Sequence, residues 1–294
     1  MSSSTSSKRR TPVYFLGIGG PNFIENTAHP AFARLAAVGR EITTVVKPKA
    51  VVVFSAHWQS SSSRSSASSG PGGSGGSGAR AGVEINVAED AGIIYDFYGF
   101  PPHFYKYQYP YRGSPAVAEK VIEKLAEADV EVKRMNRGLD HGVWAGFLAA
   151  FDPATNPLDV PIVQVSLYGN EDSDQHYRLG AALQGLRDEG ILIVGAGMAV
   201  HNLRDYRRAI AADETMPYAQ SFDDALRDAV GSVDRREAMA SLLDRKDARE
   251  AHPTLEHILP IYVCAGAAGA DAGERIWTLT EKSLSWAQYR FGET

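Results

Sequence analysis

The sequence is poor in three features that define whole classes of protein: cysteine, basic charge and long apolar runs. Its 294 residues include one cysteine, Cys264, which excludes an internal disulfide and is typical of a reducing compartment. The formal net charge of -5 provides no basic field for phosphate backbones. The apolar runs are strand-length, well short of the roughly 20 residues that a membrane-spanning helix needs. We therefore expect a cytoplasmic protein with no nucleic-acid partner and no membrane partner.

What the chain does contain is enough apolar sequence for one large core. A hydrophobic fraction of 44% predicts a single globular domain over residues 13–294. Residues 1–12 are Ser-rich and basic and lack an apolar signal-peptide core, so we predict a disordered N-terminal tail. A Ser/Gly-rich stretch at about 60–82 has almost nothing apolar to bury, and we predict a disordered surface insertion there.

Apolar runs that end in glycine or proline alternate with segments of helical periodicity. Predicted strands cover residues 14–18, 50–56, 160–167 and 190–197, and predicted helices cover residues 30–46, 115–128, 177–189, 217–230 and 235–243. The apolar segment 258–268 is interrupted by Gly266. This alternation predicts an α/β fold with a central, mostly parallel sheet flanked by helices. Because function collects at the carboxyl ends of the strands in such sheets, we expect a metal site at that edge.

Four histidine-containing motifs lie in conspicuous settings. They are SAHW at 55–58, LDHGVW at 139–144, VHNL at 200–203 and HPTLEH at 252–257. Any one of these histidines alone is compatible with a structural imidazole bonded to a backbone carbonyl. As a group at predicted strand-to-loop junctions, they are typical of metal ligands and proton carriers mounted on rigid elements. There is no His-Glu-x-x-His pattern and no paired cysteine motif, so a metalloprotease or a zinc finger is not indicated.

The residue types suit two kinds of metal chemistry. Imidazoles with one carboxylate and an open coordination position suit Fe(II) chemistry with O2, and they also suit catalytic Zn(II). Spacing does not choose between the two metals. A histidine outside the metal shell would be a natural acid or base near neutral pH.

Seven motifs, taken in order, resemble the class III extradiol ring-cleavage dioxygenases of the DOPA dioxygenase type. They are YFLGIGGP at 14–21, KPKA at 47–50, SAHW at 55–58, YDFYGFP at 95–101, LDHGVW at 139–144, VHNL at 200–203 and HPTLEHILP at 252–260. The match runs from about residue 13 to the C-terminal region and is interrupted by the Ser/Gly-rich insertion. The resemblance implies one α/β domain that holds a single metal, Fe(II) for catalysis or Zn(II) in its place. It also implies a small catechol and O2 as substrates.

The resemblance also implies a role for each motif residue. His57 and His257 would be metal ligands. His201 would be the acid/base that handles the protons of the catechol and of oxygen, and His141 would be a catalytic residue that hydrogen-bonds the catecholate or bound oxygen. The substrate-contacting or supporting residues would be His252, Glu256, Trp58 and Asn202.

One position departs from the family pattern. The first family motif is usually HGSP or HGGP with a ligand histidine, and this chain has IGGP at 18–21. Isoleucine cannot coordinate a metal, so metal affinity should fall unless Glu256, Asn22 or His29 takes the vacant position. The simpler interpretation of Ile18 is that it completes the apolar strand.

Three hypotheses follow from these residues. The first is a non-haem metal-dependent extradiol dioxygenase acting on a small catechol, DOPA-like or a related phenolic. The second is a catalytically impaired family member that binds an aromatic ligand or a partner. The third is a zinc hydrolase using the same histidines. Retention of four histidines favours the first, whereas Ile18 favours the second. The aromatic stretch at 97–111 is either a pocket wall or a structural loop.

Overall fold

The computed structural model, which describes residues 10–61 and 82–294, is organised around an eight-stranded sheet with helices on both faces. Along the sheet the strand order is β4-β3-β5-β2-β6-β1-β11-β8. These strands are β1 (Val13–Gly17), β2 (Ala50–Gln59), β3 (Gly82–Asn86), β4 (Glu131–Met135), β5 (Ile162–Leu167), β6 (Ile191–Gly197), β8 (Gly273–Trp277) and β11 (Gln288–Phe291). A second, three-stranded sheet has the order β7-β10-β9 and consists of β7 (Val200–His201), β9 (Thr280–Glu281) and β10 (Leu284–Ser285).

The centre of the large sheet is parallel, as predicted. β2 pairs in parallel with β5 and β6, and β6 pairs in parallel with β1. The edges are mixed, because β3 runs antiparallel to β5 and the C-terminal strands β11 and β8 run antiparallel to their neighbours. The predicted α/β architecture is therefore confirmed, and the antiparallel edge strands are additions that the sequence pattern did not indicate.

Nine α-helices lie in the described part of the chain. They are α1 (Pro30–Glu41), α2 (Pro115–Glu127), α3 (His141–Ala150), α4 (Ser173–Ala182), α5 (Leu203–Ala212), α6 (Pro217–Gly231), α7 (Arg235–Leu242), α8 (Ala248–Ala251) and α9 (Leu259–Ala268). The predicted helices at 30–46, 115–128, 217–230 and 235–243 are confirmed, the first of them ending in a π-helical turn. None of the described helices is long and apolar enough to cross a bilayer.

Two helix predictions need correction. The helix predicted at 177–189 is instead α4 followed by a separate 3-10 helix, and it begins earlier because the Asp172 side chain accepts a hydrogen bond from the Gln175 N–H. Gly266 does not interrupt the apolar segment at 258–268, since α9 runs through it. This glycine lies against the Tyr177 carbonyl of α4, where a Cβ atom would collide. Because Gly266 has no side chain, α4 and α9 can pack closely.

Alternate residues of the central strands face two different cores. Phe15 and Val52 belong to the core beneath α2, α4, α6 and α9. Tyr14, Leu16 and Val51 belong to the core beneath α1 and α3. This two-sided burial is typical of a parallel sheet covered by helices on both faces. It explains why the central strands are continuous apolar runs in the sequence.

The predicted tail at 1–12 and the predicted insertion at 60–82 fall largely outside the described residues. At their described ends, the chain belongs to the fold. Thr11 is buried and its hydroxyl donates a hydrogen bond to the backbone of β6. Ser60 is also buried, and its backbone N–H donates to the carboxyl end of β5. Gly82 already begins β3. Thr11, Ser60 and Gly82 are therefore part of the fold.

Candidate active site

Four of the predicted site histidines line one cavity of about 540 Å³. They come from different elements: His57 from β2, His141 from the first turn of α3, His201 from β7 and His257 from the turn before α9. Ile18, which follows β1 directly, also lines this cavity. The cavity therefore lies at the carboxyl ends of the central strands.

His57 lies within β2 and not beyond its end, because this strand is longer than predicted. The pairing of β2 with β5 is regular as far as Phe54 and then shifts its register before Gln59. The Ser55 hydroxyl stabilises this irregular stretch, since it accepts the His57 N–H at 3.1 Å and donates to Asp140 at 2.7 Å. An irregularity of this kind re-aims a side chain next to a site. It explains how a buried strand presents an imidazole to the cavity.

His141 opens helix α3 and is held by a carboxylate that the motif analysis missed. Both its backbone N–H and its Nδ1 hydrogen-bond to Oδ1 of Asp96, each at 2.9 Å. The His141 ring lies 3.9 Å from the His57 ring, centroid to centroid. Burial alone would raise the pKa of Asp96, but the hydrogen bonds from His141 outweigh it and the pKa is lowered. Asp96 is therefore an anion beside two imidazoles.

His257 is the link between the imidazoles of the cavity. Its Nδ1 lies 2.9 Å from Oε1 of Glu256, its ring stacks on the His201 ring at 3.5 Å, and its ring centroid is 5.2 Å from that of His57. Burial, reinforced by the neighbouring imidazoles, lowers the pKa of all three histidines. They are therefore neutral near pH 7, the form in which imidazole nitrogen binds a metal.

The donor set fits a metal ion. Among the described residues, two groups offer ligand atoms within 4.8 Å of one another: His57, Asp96 and His141, and His201, Glu256 and His257. Each group combines two imidazoles with one carboxylate, which is the ligand chemistry of non-haem Fe(II) sites. The predicted ligands His57 and His257 come from different groups, and both face the same cavity.

Ile18 is firmly packed where the family pattern has a ligand. Its side chain is buried against Gly146 of α3, so closely that a Cβ on this glycine would collide with it. Its backbone N–H donates to the carbonyl of Gly197 at 2.9 Å, which extends the pairing of β1 with β6. The interpretation that Ile18 completes an apolar strand agrees with this packing.

The three candidates for the vacant ligand position differ in their surroundings. His29 has both ring nitrogens engaged, since Nδ1 accepts the Ala31 N–H and Nε2 bonds to Glu281 at 2.9 Å. Asn22 lines the cavity from an exposed position. Glu256 belongs to the group formed with His201 and His257. Glu256 is therefore the best placed of the three.

The other predicted site residues lie behind the cavity wall. His252 is fully buried, and its Nε2 bonds at 2.9 Å to the carbonyl of Ala199, two residues before His201. The Trp58 indole donates to Glu84 at 3.1 Å. The Asn202 side chain caps α5 by accepting two of its backbone N–H groups. None of the three lines the histidine cavity in the described structure, and each supports a segment that carries a cavity histidine.

Two further walls complete the cavity. Phe97 and Phe100 line it, which agrees with the pocket-wall interpretation of part of the aromatic stretch at 97–111. The second wall comes from the C-terminal strands, with Glu281 and Trp286. Sequence reasoning missed this second wall because strands of two residues have no detectable periodicity.

Comparison with known proteins agrees with this architecture. A family model for the catalytic LigB subunit of aromatic ring-opening dioxygenase matches residues 12–290. The chain is 30% identical over 285 residues to a 4,5-DOPA dioxygenase extradiol of Beta vulgaris, covering 96% of this chain and 96% of that one. It is 31% identical over 265 residues to a 4,5-DOPA dioxygenase extradiol of Escherichia coli (strain K12), covering 89% of this chain and 86% of that one.

A solved structure shows the same fold. The crystal structure of an uncharacterized protein from Escherichia coli K12 superposes with a TM-score of 0.72 at 27% identity, covering 96% of this chain and 100% of that one. The predicted resemblance and the predicted enzyme class, an extradiol ring-opening dioxygenase, are confirmed by these matches. The chain belongs to the LigB family of aromatic ring-opening dioxygenases.

Proposed function

We propose that this protein is an Fe(II)-dependent extradiol dioxygenase that opens the ring of a small catechol with O2. The observation that carries the proposal is the convergence of four imidazoles on one cavity, from four separate elements: His57, His141, His201 and His257. A cavity that only binds an aromatic ligand has no need for four such imidazoles. The LigB family supplies the reaction class.

The metal would be held by His57 and His257, with Glu256 as the third donor in the place that Ile18 leaves. Oε1 of Glu256 lies 2.9 Å from Nδ1 of His257, so this carboxylate and this ring nitrogen are close enough to donate to one metal ion together. Fe(II) held there would supply the Lewis acidity and the redox chemistry with O2 that opening of a catechol ring needs.

His201 is the proposed acid/base. Its ring is fixed by stacking on His257, and no hydrogen bond to it comes from the described residues. Burial lowers its pKa well below the usual value for histidine, so it is neutral and can accept a proton from a catechol hydroxyl. The same nitrogen can return the proton later in the reaction.

His141 is proposed to orient the catechol. The Asp96 carboxylate engages Nδ1, so Nε2 is the ring nitrogen left for a ligand in the cavity. Nε2 can therefore form a hydrogen bond with a catechol oxygen. Phe97, whose ring lies 5.6 Å from that of His141, provides an apolar wall for the aromatic ring.

Ile18 supports a second candidate function. If two imidazoles and Glu256 do not hold a metal, the same cavity would bind an aromatic ligand without turning it over. The close packing of Ile18 against Gly146 supports this alternative, because it stabilises the fold without a histidine at this position.

Oxygen uptake separates these candidates. Protein reconstituted anaerobically with Fe(II) is expected to consume O2 on addition of a catechol and to give a yellow semialdehyde-type product. Tight metal binding without O2 uptake over a panel of catechols would refute the dioxygenase and favour the ligand-binding protein. Ester hydrolysis with Zn(II) and without O2 uptake would instead identify a zinc hydrolase.

A further inference from the structure

The three-stranded sheet β7-β10-β9 brings the Glu281 carboxylate into the cavity, and this group has no role in the proposed ring opening. In its register, Leu284 pairs with His201 on one side and with Glu281 on the other. Directly paired residues project to the same face of a sheet, and all three residues line the cavity. Two strand spacings, about 9–10 Å, therefore separate the backbone of His201 from that of Glu281.

Glu281 is fixed by two hydrogen bonds. Its Oε1 accepts hydrogen bonds from the Trp286 indole at 2.7 Å and from Nε2 of His29 at 2.9 Å. Because Nδ1 of His29 accepts the Ala31 N–H, the ring hydrogen that Glu281 accepts is assigned to Nε2. The adjacent Lys282 side chain bonds to Asp213 at 2.6 Å. Among the described residues, no lysine or arginine forms an ion pair with Glu281, and His29 is the only basic side chain in contact with it.

The second oxygen of Glu281 is available to a ligand. The side chain is 32% exposed, and Oε2 has no hydrogen-bond partner within the described part of the chain. Glu256 and Glu281 are the only charged side chains among the described residues that line the cavity, and no lysine or arginine does so. At the β9 side of the cavity a substrate carboxylate would meet the Glu281 carboxylate and no lysine or arginine, whereas an ammonium group would be attracted.

We propose that Glu281 determines substrate specificity, and that the substrate is a catechol with a cationic amine on a short side chain and no free carboxylate. This inference rests on the proposed function, because it assumes that the catechol hydroxyls face the histidines. With the ring beside His201, a two-carbon side chain would bring a terminal nitrogen to Glu281. Trp286 and Phe23, whose rings stack at 4.9 Å, line the cavity on the same side as Glu281.

Equilibrium binding tests the proposal directly. Calorimetric titrations of the Fe(II)-loaded protein under anaerobic conditions would compare catechols that carry an aminoethyl, an ethyl or a carboxyethyl group at the same ring position. The aminoethyl compound is expected to bind about tenfold more tightly than the carboxyethyl compound. Glu281→Gln should abolish this preference and leave the affinity for ethylcatechol within about twofold of wild type.

Two further variants serve as controls. Glu281→Asp retains the charge and is expected to retain a preference for the amine. Glu274→Gln removes a carboxylate that is 64% exposed on β8 and pairs with Arg290, and it should change no affinity. Equal binding of the two charged catechols by the wild type, or a preference unchanged in Glu281→Gln, would overturn the proposal.

Ligands without hydroxyl groups separate this inference from the proposed function. Phenethylamine and phenylpropionate would be titrated into the metal-free protein, where neither chelation nor turnover contributes. A preference for the amine that disappears in Glu281→Gln supports the role of Glu281, even if no catechol consumes O2. Absence of any charge preference in both sets of titrations overturns it, even if catechols are cleaved.

Discussion

Two neighbouring strand ends, β1 and β2, occupy equivalent places in this fold and differ in chemistry. They flank β6 on opposite sides, with Gly17 paired to Gly197 and Ser55 paired to Ala196. One strand presents His57 to the cavity, and the other is followed by Ile18. Each end is stabilised by its own packing, so the β1 end keeps its architecture with an apolar residue in place of an imidazole. We therefore expect fold and metal affinity to be separable in this protein.

Removing the imidazole at the end of β2 should have the largest effect on Fe(II) affinity. His57→Ala removes a proposed ligand and is expected to weaken Fe(II) binding at least about 100-fold. Replacing a residue that only hydrogen-bonds a metal ligand already lowers metal affinity by about 10–100-fold. Anaerobic metal titration measures this. His103→Ala, at a histidine that is 54% exposed and outside the cavity, is the matched control. Unchanged Fe(II) affinity in His57→Ala would remove this residue from the ligand set.

Placing a histidine after β1 should instead raise the affinity for Fe(II). Ile18→His supplies an imidazole at the position where the family pattern has one, and Fe(II) affinity is expected to rise about tenfold, as one added ligand in a preorganised site would give. Ile18→Leu keeps the site apolar and should show no gain. The same titration compares the two variants, and a weaker Ile18→His site would mean that the β1 end no longer reaches the metal.

The position of the His57 ring can be disturbed without replacing the histidine itself. A Cβ at position 142 would lie 2.5 Å from the Ser55 hydroxyl and 2.7 Å from the His57 ring. Gly142→Ala should therefore displace His57, reduce Fe(II) affinity several-fold and destabilise the fold by about 1–3 kcal/mol. Gly185→Ala, where nothing lies within 4 Å, is the control for thermal unfolding and for metal titration.

The smallest effect concerns a buried histidine outside the cavity. Burial lowers the pKa of His176 to about 4, against 6.5 in the unfolded chain. Between these values only the unfolded state takes up the proton, so stability falls as the pH decreases, by about 1.4 kcal/mol per pH unit. His176→Gln should remove this contribution. Urea unfolding at pH 7, 6 and 5 measures the slope, and an equal slope in the variant would contradict the assignment.

The features that could be predicted from the sequence are those that have a local sequence pattern of their own. The central strands are continuous apolar runs, and the motif around His57 lies at the end of one of them, so both were predicted from the sequence. Helix α3 was missed because it is buried nearly all round and has no amphipathic period. Asp96 and Glu281 were missed because their importance arises from contacts with His141 and His29, which are distant in sequence.

Oxygen uptake by the wild type and by Ile18→His, each loaded with Fe(II) and given the same catechol, tests the central claim most directly. If His57, His257 and Glu256 suffice to hold the metal, both proteins will consume O2, and Ile18→His will reach its full rate at a lower Fe(II) concentration. Uptake by Ile18→His alone would contradict the account. It would show that the chain has kept the family fold without a working metal centre.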